Sequence, residues 1–148
     1  MKKEKNYQFK ISKWMGATFL GWLLGVVLIV ALSSLLDSVG IEGLQFYLGL
    51  GMGSGIGLMQ WFNLRKSGRI NGRWILINAL GMGIPFLFFD LVFDLVIEVK
   101  IFCSMFVGAF LIALLQHYAF RNLLKNPWVW ILSSVVGWLS AAAITFSV

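Results

Sequence analysis

The chain has 148 residues, of which 59% are hydrophobic, a formal charge of +6 and a mean hydropathy of +0.87. Soluble domains are typically about 45 to 50% apolar, so a water-soluble globule is excluded. The apolar runs are unbroken, which excludes the alternating strands of a membrane barrel, and the cations are dispersed among loops in a way that does not suit a nucleic-acid binder.

A hydrocarbon core about 30 Å thick needs about 20 apolar helical residues to cross it. Five stretches meet that length: 14–36, 44–64, 74–95, 101–120 and 128–148. They predict an all-α membrane protein of five transmembrane helices in a single domain, 1–148, with residues 1–13 as a basic cytoplasmic segment. The charges agree. Every lysine and arginine except Lys100 lies before the first span or in the connections 65–73 and 121–127, whereas Asp37, Glu42, Asp94 and Glu98 occupy the opposite connections. By the positive-inside rule the N-terminus is cytoplasmic and the C-terminus external. The expected location is the cytoplasmic (inner) membrane of a bacterium, with the basic turns against anionic headgroups.

The first span carries Gly21 and Gly25 one turn apart, with Gly16 near them, so one face can approach a neighbouring helix. Its basic start also fits a signal peptide with Ala31-Leu32-Ser33 as a poor cleavage site. The apolar run exceeds the usual h-region of about 7 to 15 residues, which favours an uncleaved anchor. The second span has Gly49, Gly53 and Gly57 on one face and Gly51 and Gly55 on a nearly opposite one. Two grooves of this kind predict a central helix clamped between neighbours. The glycines fit neither G-x-G-x-x-G nor G-K-[ST], so a phosphate-binding reading fails.

The third span passes Asn78, Gly81, Gly83 and Pro85, and the proline predicts a kink. Asp90, Asp94 and Glu98 then follow at one-turn intervals along a single face. Asp90 would lie about 24 Å and Asp94 about 30 Å from Trp74, near the outer edge of the hydrocarbon. Asp90 and Asp94 are candidates for a cation or proton site, with ordinary solvation as the alternative. The fourth span carries Gly108, Ala109 and Ala113, and the fifth places Ser133, Gly137 and Ala141 along one small-residue face. Gly49, Gly53, Gly57, Gly81 and Gly137 are the expected helix-packing positions.

Displacing the sequence so that Gln60 falls on Gln116 also brings Arg65 onto Arg121, Trp74 onto Trp130 and Gly81 onto Gly137. Each unit is a two-span hairpin, so helices two and three would repeat as helices four and five. An even number of spans preserves orientation, which gives a parallel repeat. The chain here resembles uncharacterised small bacterial multi-span membrane proteins in which a Gly-rich helix ends in Q-W-x-x-L-R and is followed by a short turn and W-x6-G. Gln60, Trp61, Leu64, Arg65, Trp74 and Gly81 carry that resemblance. The second unit departs from it at His117 and Phe120. The resemblance implies no activity, cofactor or catalytic residue.

Gln60 and Gln116 fall at one depth, about 7 Å inside the arginines, with Asn78 and Ser134 near that level on the return helices. They predict a polar layer: Gln60, Asn78, Gln116 and Ser134, joining the hairpins through hydrogen bonds or serving as a site open to the cytoplasm. Arg65 and Arg121 are the candidate anion or headgroup contacts. Cys103 is the sole cysteine and His117 the sole histidine, so neither a disulfide nor a metal cluster can be assembled from them. His117 reads as an interfacial side chain, and Trp14, Trp61, Trp74, Trp128 and Trp130 as an interfacial belt. No catalytic motif is found, so an enzyme is not expected, nor is a cofactor or bound metal. The expected function is a binding, assembly or regulatory subunit acting within the membrane, with another membrane protein or a second copy as partner. The alternative is a small oligomeric channel or transporter.

Overall fold

The computed structural model describes residues 11–41, 43–65, 71–120 and 127–146. Among them every regular element is helical: α1 (Ile11–Ser38), α2 (Phe46–Leu64), α3 (Arg73–Val92), α4 (Ile97–Phe120) and α5 (Pro127–Phe146). The all-helical architecture follows the sequence expectation. Lys13–Ser38, Arg73–Val92 and Ile97–Tyr118 are long and apolar enough to cross a membrane. Five such helices were expected; α2 and α5 do not reach that standard over their described residues. The reason in α2 is composition, because glycine contributes no apolar side chain and Gln60 and Asn63 are polar. In α5 the described apolar segment is Ile131–Ser140.

The burial pattern is that of a molecule adapted to lipid. On α3, Leu76, Leu80, Ile84, Leu87 and Leu91 face outward and exposed, while Gln60, Asn78, Ser104 and Gln116 are buried. Water would favour the reverse arrangement, since unpaired burial of an amide costs free energy and exposed leucine gains none.

Consecutive helices pack side by side, α2 also touches α4, and α1 and α5 do not approach each other among the described residues. The glycines of α2 set the order. A methyl carbon placed at Gly49 would lie 2.6 Å from the Met82 carbonyl oxygen, and one at Gly57 would lie 2.9 Å from Asn78 Cβ, so this face meets α3 at backbone range. On the other face, a methyl carbon at Gly55 would lie 2.6 Å from the Gly21 carbonyl oxygen, and one at Gly51 3.0 Å from the Ile29 amide nitrogen of α1. The predicted clamp on α2 is therefore observed. Gly81 similarly meets Ile112 of α4. Two positions differ from expectation. Among the described residues, Gly16 and Gly137 have no neighbour within 4 Å of an added methyl carbon, so no packing contact is seen at Gly137. Met82, Phe86 and Ile112 form the apolar core between α3 and α4.

The connections have local causes. Gly40 adopts φ +74°, and the bonds from Ile41 N–H to the Leu36 carbonyl and from Gly40 N–H to the Asp37 carbonyl close α1 in a left-handed cap. Asn71 Oδ1 accepts the Arg73 N–H at 3.2 Å to start α3. That helix continues through Pro85 and ends at Val92, with Phe93 extended at φ −120° and ψ 128°. This overturns the single acidic face expected of residues 90–98. Asp90 stays on α3, Asp94 falls in the exposed connection 93–96, and Glu98 belongs to the first turn of α4.

Candidate functional site

Three of the polar side chains singled out from the sequence lie in one hydrogen-bonded chain that crosses four helices. Gln60 Nε2 donates to Thr18 Oγ1 of α1 at 3.1 Å, and Thr18 Oγ1 in turn donates to the Trp14 carbonyl at 3.0 Å. Trp74 Nε1 donates to Gln60 Oε1 at 3.2 Å, joining α3 to α2. Asn78 Nδ2 returns to the Trp74 carbonyl at 2.8 Å, while Asn78 Oδ1 accepts Gln116 Nε2 of α4 at 3.0 Å. Gln60, Trp74, Asn78 and Gln116 are all at most 5% exposed. A buried amide has to find partners, and here each amide supplies a partner for the next.

This network forms the floor of a cavity of about 300 Å³ to which all five helices contribute. Trp14, Thr18 and Trp22 come from α1, Ile56 and Gln60 from α2, Asn78 from α3, and Ile112 and Gln116 from α4. From α5 come Ser133, Ser134, Gly137 and Trp138. The local rule is simple. On an α-helix, residues four apart share a face, so 14, 18 and 22, then 56 and 60, then 112 and 116, then 134 and 138 each form a row along one wall. Gly137 is open because it borders this space, where a side chain would meet no packed neighbour.

Thr18 and Trp74 are the partners that sequence reasoning missed. Trp74 was expected in an interfacial belt, but it is 2% exposed and stands edge-on to Trp14, with ring centres 6.2 Å apart. The Gln60 and Trp74 pair recurs as Gln116 and Trp130, which was a sequence signal for an internal contact; the Trp130 side chain lies outside the described residues. Trp128, by contrast, is exposed.

The remaining described candidates do not line the cavity. Arg65 is exposed and its guanidinium carbon lies 4.2 Å from the Phe62 ring centre and 5.1 Å from that of Trp61. It is engaged by its own helix through cation–π contact. Arg121 lies outside the described residues. Asp90 is half-buried and one of its carboxylate oxygens accepts the Gln45 backbone N–H at the start of α2. A carboxylate there satisfies a helix-end donor and complements the positive end of the helix dipole. Asp94 does not share its helix, so the two carboxylates expected to form a cation or proton site do not lie on one helical face. His117 Nδ1 is buried without a hydrogen-bond partner among the described residues, and the histidine is not a freely solvated interfacial group. No group of three or more His, Cys, Asp or Glu that could hold a metal ion occurs among the described residues.

Chemically, the cavity offers amides, hydroxyls and indoles and, among the described residues, no charged side chain. It can orient an uncharged group through hydrogen bonds and flat apolar contacts. Comparison with protein-family models, curated proteins and solved structures finds no match.

Proposed function

We propose that the protein is a membrane-embedded binding subunit whose five-helix cavity seats an uncharged, hydrogen-bonding group of a small molecule. The observation that carries this reading is the convergence of polar side chains from every helix on one space of about 300 Å³. That volume is at the lower end of ligand pockets, which run from about 300 to 1,000 Å³ and combine apolar walls with a few placed polar groups. A purely structural layer would need only the bonds between Gln60, Trp74, Asn78 and Gln116. The serines of α5 add hydroxyls on the far wall.

In this reading all five helices cross the inner membrane of a bacterium, with the N-terminus and the basic connections cytoplasmic. α2 tolerates five glycines because α1 and α3 shield it from lipid. Helices α2 with α3 and α4 with α5 are parallel repeats, supported by Gln60 and Gln116 lying on the same cavity. A channel is disfavoured by the apolar lining of a neighbouring cavity that shares Trp22 and Trp138 with this one, which gives a permeating ion no compensation for its lost water.

The test is native mass spectrometry of the full-length protein extracted in nonionic detergent, beside Gly137→Phe. The phenylalanine enters the cavity without a clash at its Cβ. An adduct of uncharged mass kept by the natural chain and lost by the variant is the expected result. Equal retention by both, or ion flux through liposomes carrying the natural chain, overturns the reading.

A further inference from the structure

A second cavity, of about 370 Å³, adjoins the first. Its walls are Trp22 and Ile29 of α1, Leu48, Gly49 and Met52 of α2, Met82 and Phe86 of α3, Ile101 and Met105 of α4, and Trp138 of α5. Trp22 and Trp138 border both spaces, so the two cavities meet at this pair of indoles. The first is floored by amides; the second has, among the described residues, no polar side chain on its wall beyond the two indole N–H groups.

We infer that the occupant is a neutral lipid amphiphile, with its hydroxyl- or carbonyl-bearing head among Gln60, Asn78, Gln116 and the α5 serines and its hydrocarbon chain passing Trp22 and Trp138 into the apolar cavity. This rests on the binding reading above and names the class of ligand. Each part of the molecule answers to an observation. The head is uncharged because, among the described residues, neither wall holds a lysine, arginine, aspartate, glutamate or histidine, and an isolated ion would be desolvated without compensation. The head accepts a hydrogen bond because Gln60 Nε2 carries two N–H donors and its bond to Thr18 uses one. The chain is hydrocarbon because the second space is lined by aliphatic, aromatic and thioether groups. Met52, Met82 and Met105 are unbranched and adaptable, which suits a flexible chain of variable length. Indoles at the junction suit the change of polarity, being apolar in body with one N–H. Entry is lateral. α1 and α5 both line the first cavity yet do not approach each other among the described residues, and the lipid would enter between them.

The experiment uses the full-length protein in phosphatidylcholine nanodiscs and a monoacylglycerol brominated at mid-chain, since bromine quenches an indole only on contact. Expected is saturable quenching of tryptophan emission beyond that produced by brominated phosphatidylcholine, with a smaller saturable part in Trp22→Phe and in Trp138→Phe. Gly137→Phe, which fills the head space, and Ile101→Trp, which fills the chain space, should each raise the half-saturating mole fraction about tenfold or more, the equivalent of about 1.4 kcal/mol. Should Ile101→Trp fail to fold, Met105→Phe narrows the same cavity. If Gly137→Phe weakens binding and both chain-space variants bind as the natural protein does, the chain lies elsewhere and the inference is overturned, while the polar cavity stands. If no variant alters binding, both readings fall. Equally tight saturation by brominated phosphatidylglycerol overturns the neutral head.

Discussion

Alanine should act in opposite directions at Gly53 and Gly137, although both are glycines inside helices. At Gly53 an added methyl carbon would lie 2.9 Å from the carbonyl carbon of Asn78 and 3.1 Å from the Cα of Ala79, and it would press on the Asn78 carbonyl oxygen as well. All three atoms are backbone of α3, so no side chain can rotate aside. The two helices have to separate, and separation also loosens the contacts at Gly49 and Gly57 on the same face. Overpacking a filled interior costs about 1 to 3 kcal/mol. Replacing a helical glycine by alanine returns about 1 kcal/mol of propensity. With rigid atoms on the far side the upper part of the range applies, and Gly53→Ala should lose about 2 kcal/mol net. At Gly137 no packed neighbour among the described residues lies within 4 Å of an added methyl carbon, so only the propensity gain remains and Gly137→Ala should gain up to about 1 kcal/mol. Reversible unfolding in mixed micelles of rising dodecyl sulfate content, followed by circular dichroism, measures both. A Gly53→Ala protein as stable as the natural one, or a Gly137→Ala protein that is destabilised, would refute the packing argument.

Three other outcomes are expected. A double-mutant cycle on Asn78→Ala and Gln116→Ala should give a coupling energy of about 0.6 kcal/mol and no more than about 1.7, as for other interhelical bonds in membranes, when read from the same unfolding curves. Asp90→Asn removes the negative charge beside the Gln45 N–H and should destabilise the protein by about 0.3 to 1 kcal/mol, with an unchanged response to the brominated monoacylglycerol. In a Cys103→Ala background, Ser38→Cys should react with a membrane-impermeant maleimide in intact cells, whereas Asn71→Cys should react only after permeabilisation; the reverse pattern would invert the proposed orientation.

Legibility in the sequence followed the range of the interaction. The two glycine faces of α2 could be read directly, because a helix of 3.6 residues per turn fixes which residues share a side, and both faces do meet neighbours. The same rule failed beyond Val92. The spacing of Asp90, Asp94 and Glu98 assumes that the helix continues, whereas the extended Phe93 ends it and sends the three carboxylates to different elements. Gly137 shows the converse. Its small-residue spacing matches that of a packing face, but the wall opposite is a cavity, and spacing carries no information about what stands across the gap.

Composition and periodicity by themselves determined that this chain is helical, that it is built for oil, and which glycines let α2 be gripped from both sides. These are properties of single helices and of solvent, and each is set within a few consecutive turns. Only the tertiary structure decided that Thr18 and Trp74 complete the amide chain, that Arg65 lies back on its own aromatic residues, and that Trp22 and Trp138 border both a polar space and an apolar one. Those facts depend on residues far apart in the chain reaching hydrogen-bonding or van der Waals distance. That in turn depends on how closely five helices approach one another, which the backbone contacts of α2 and α3 fix and no local pattern encodes.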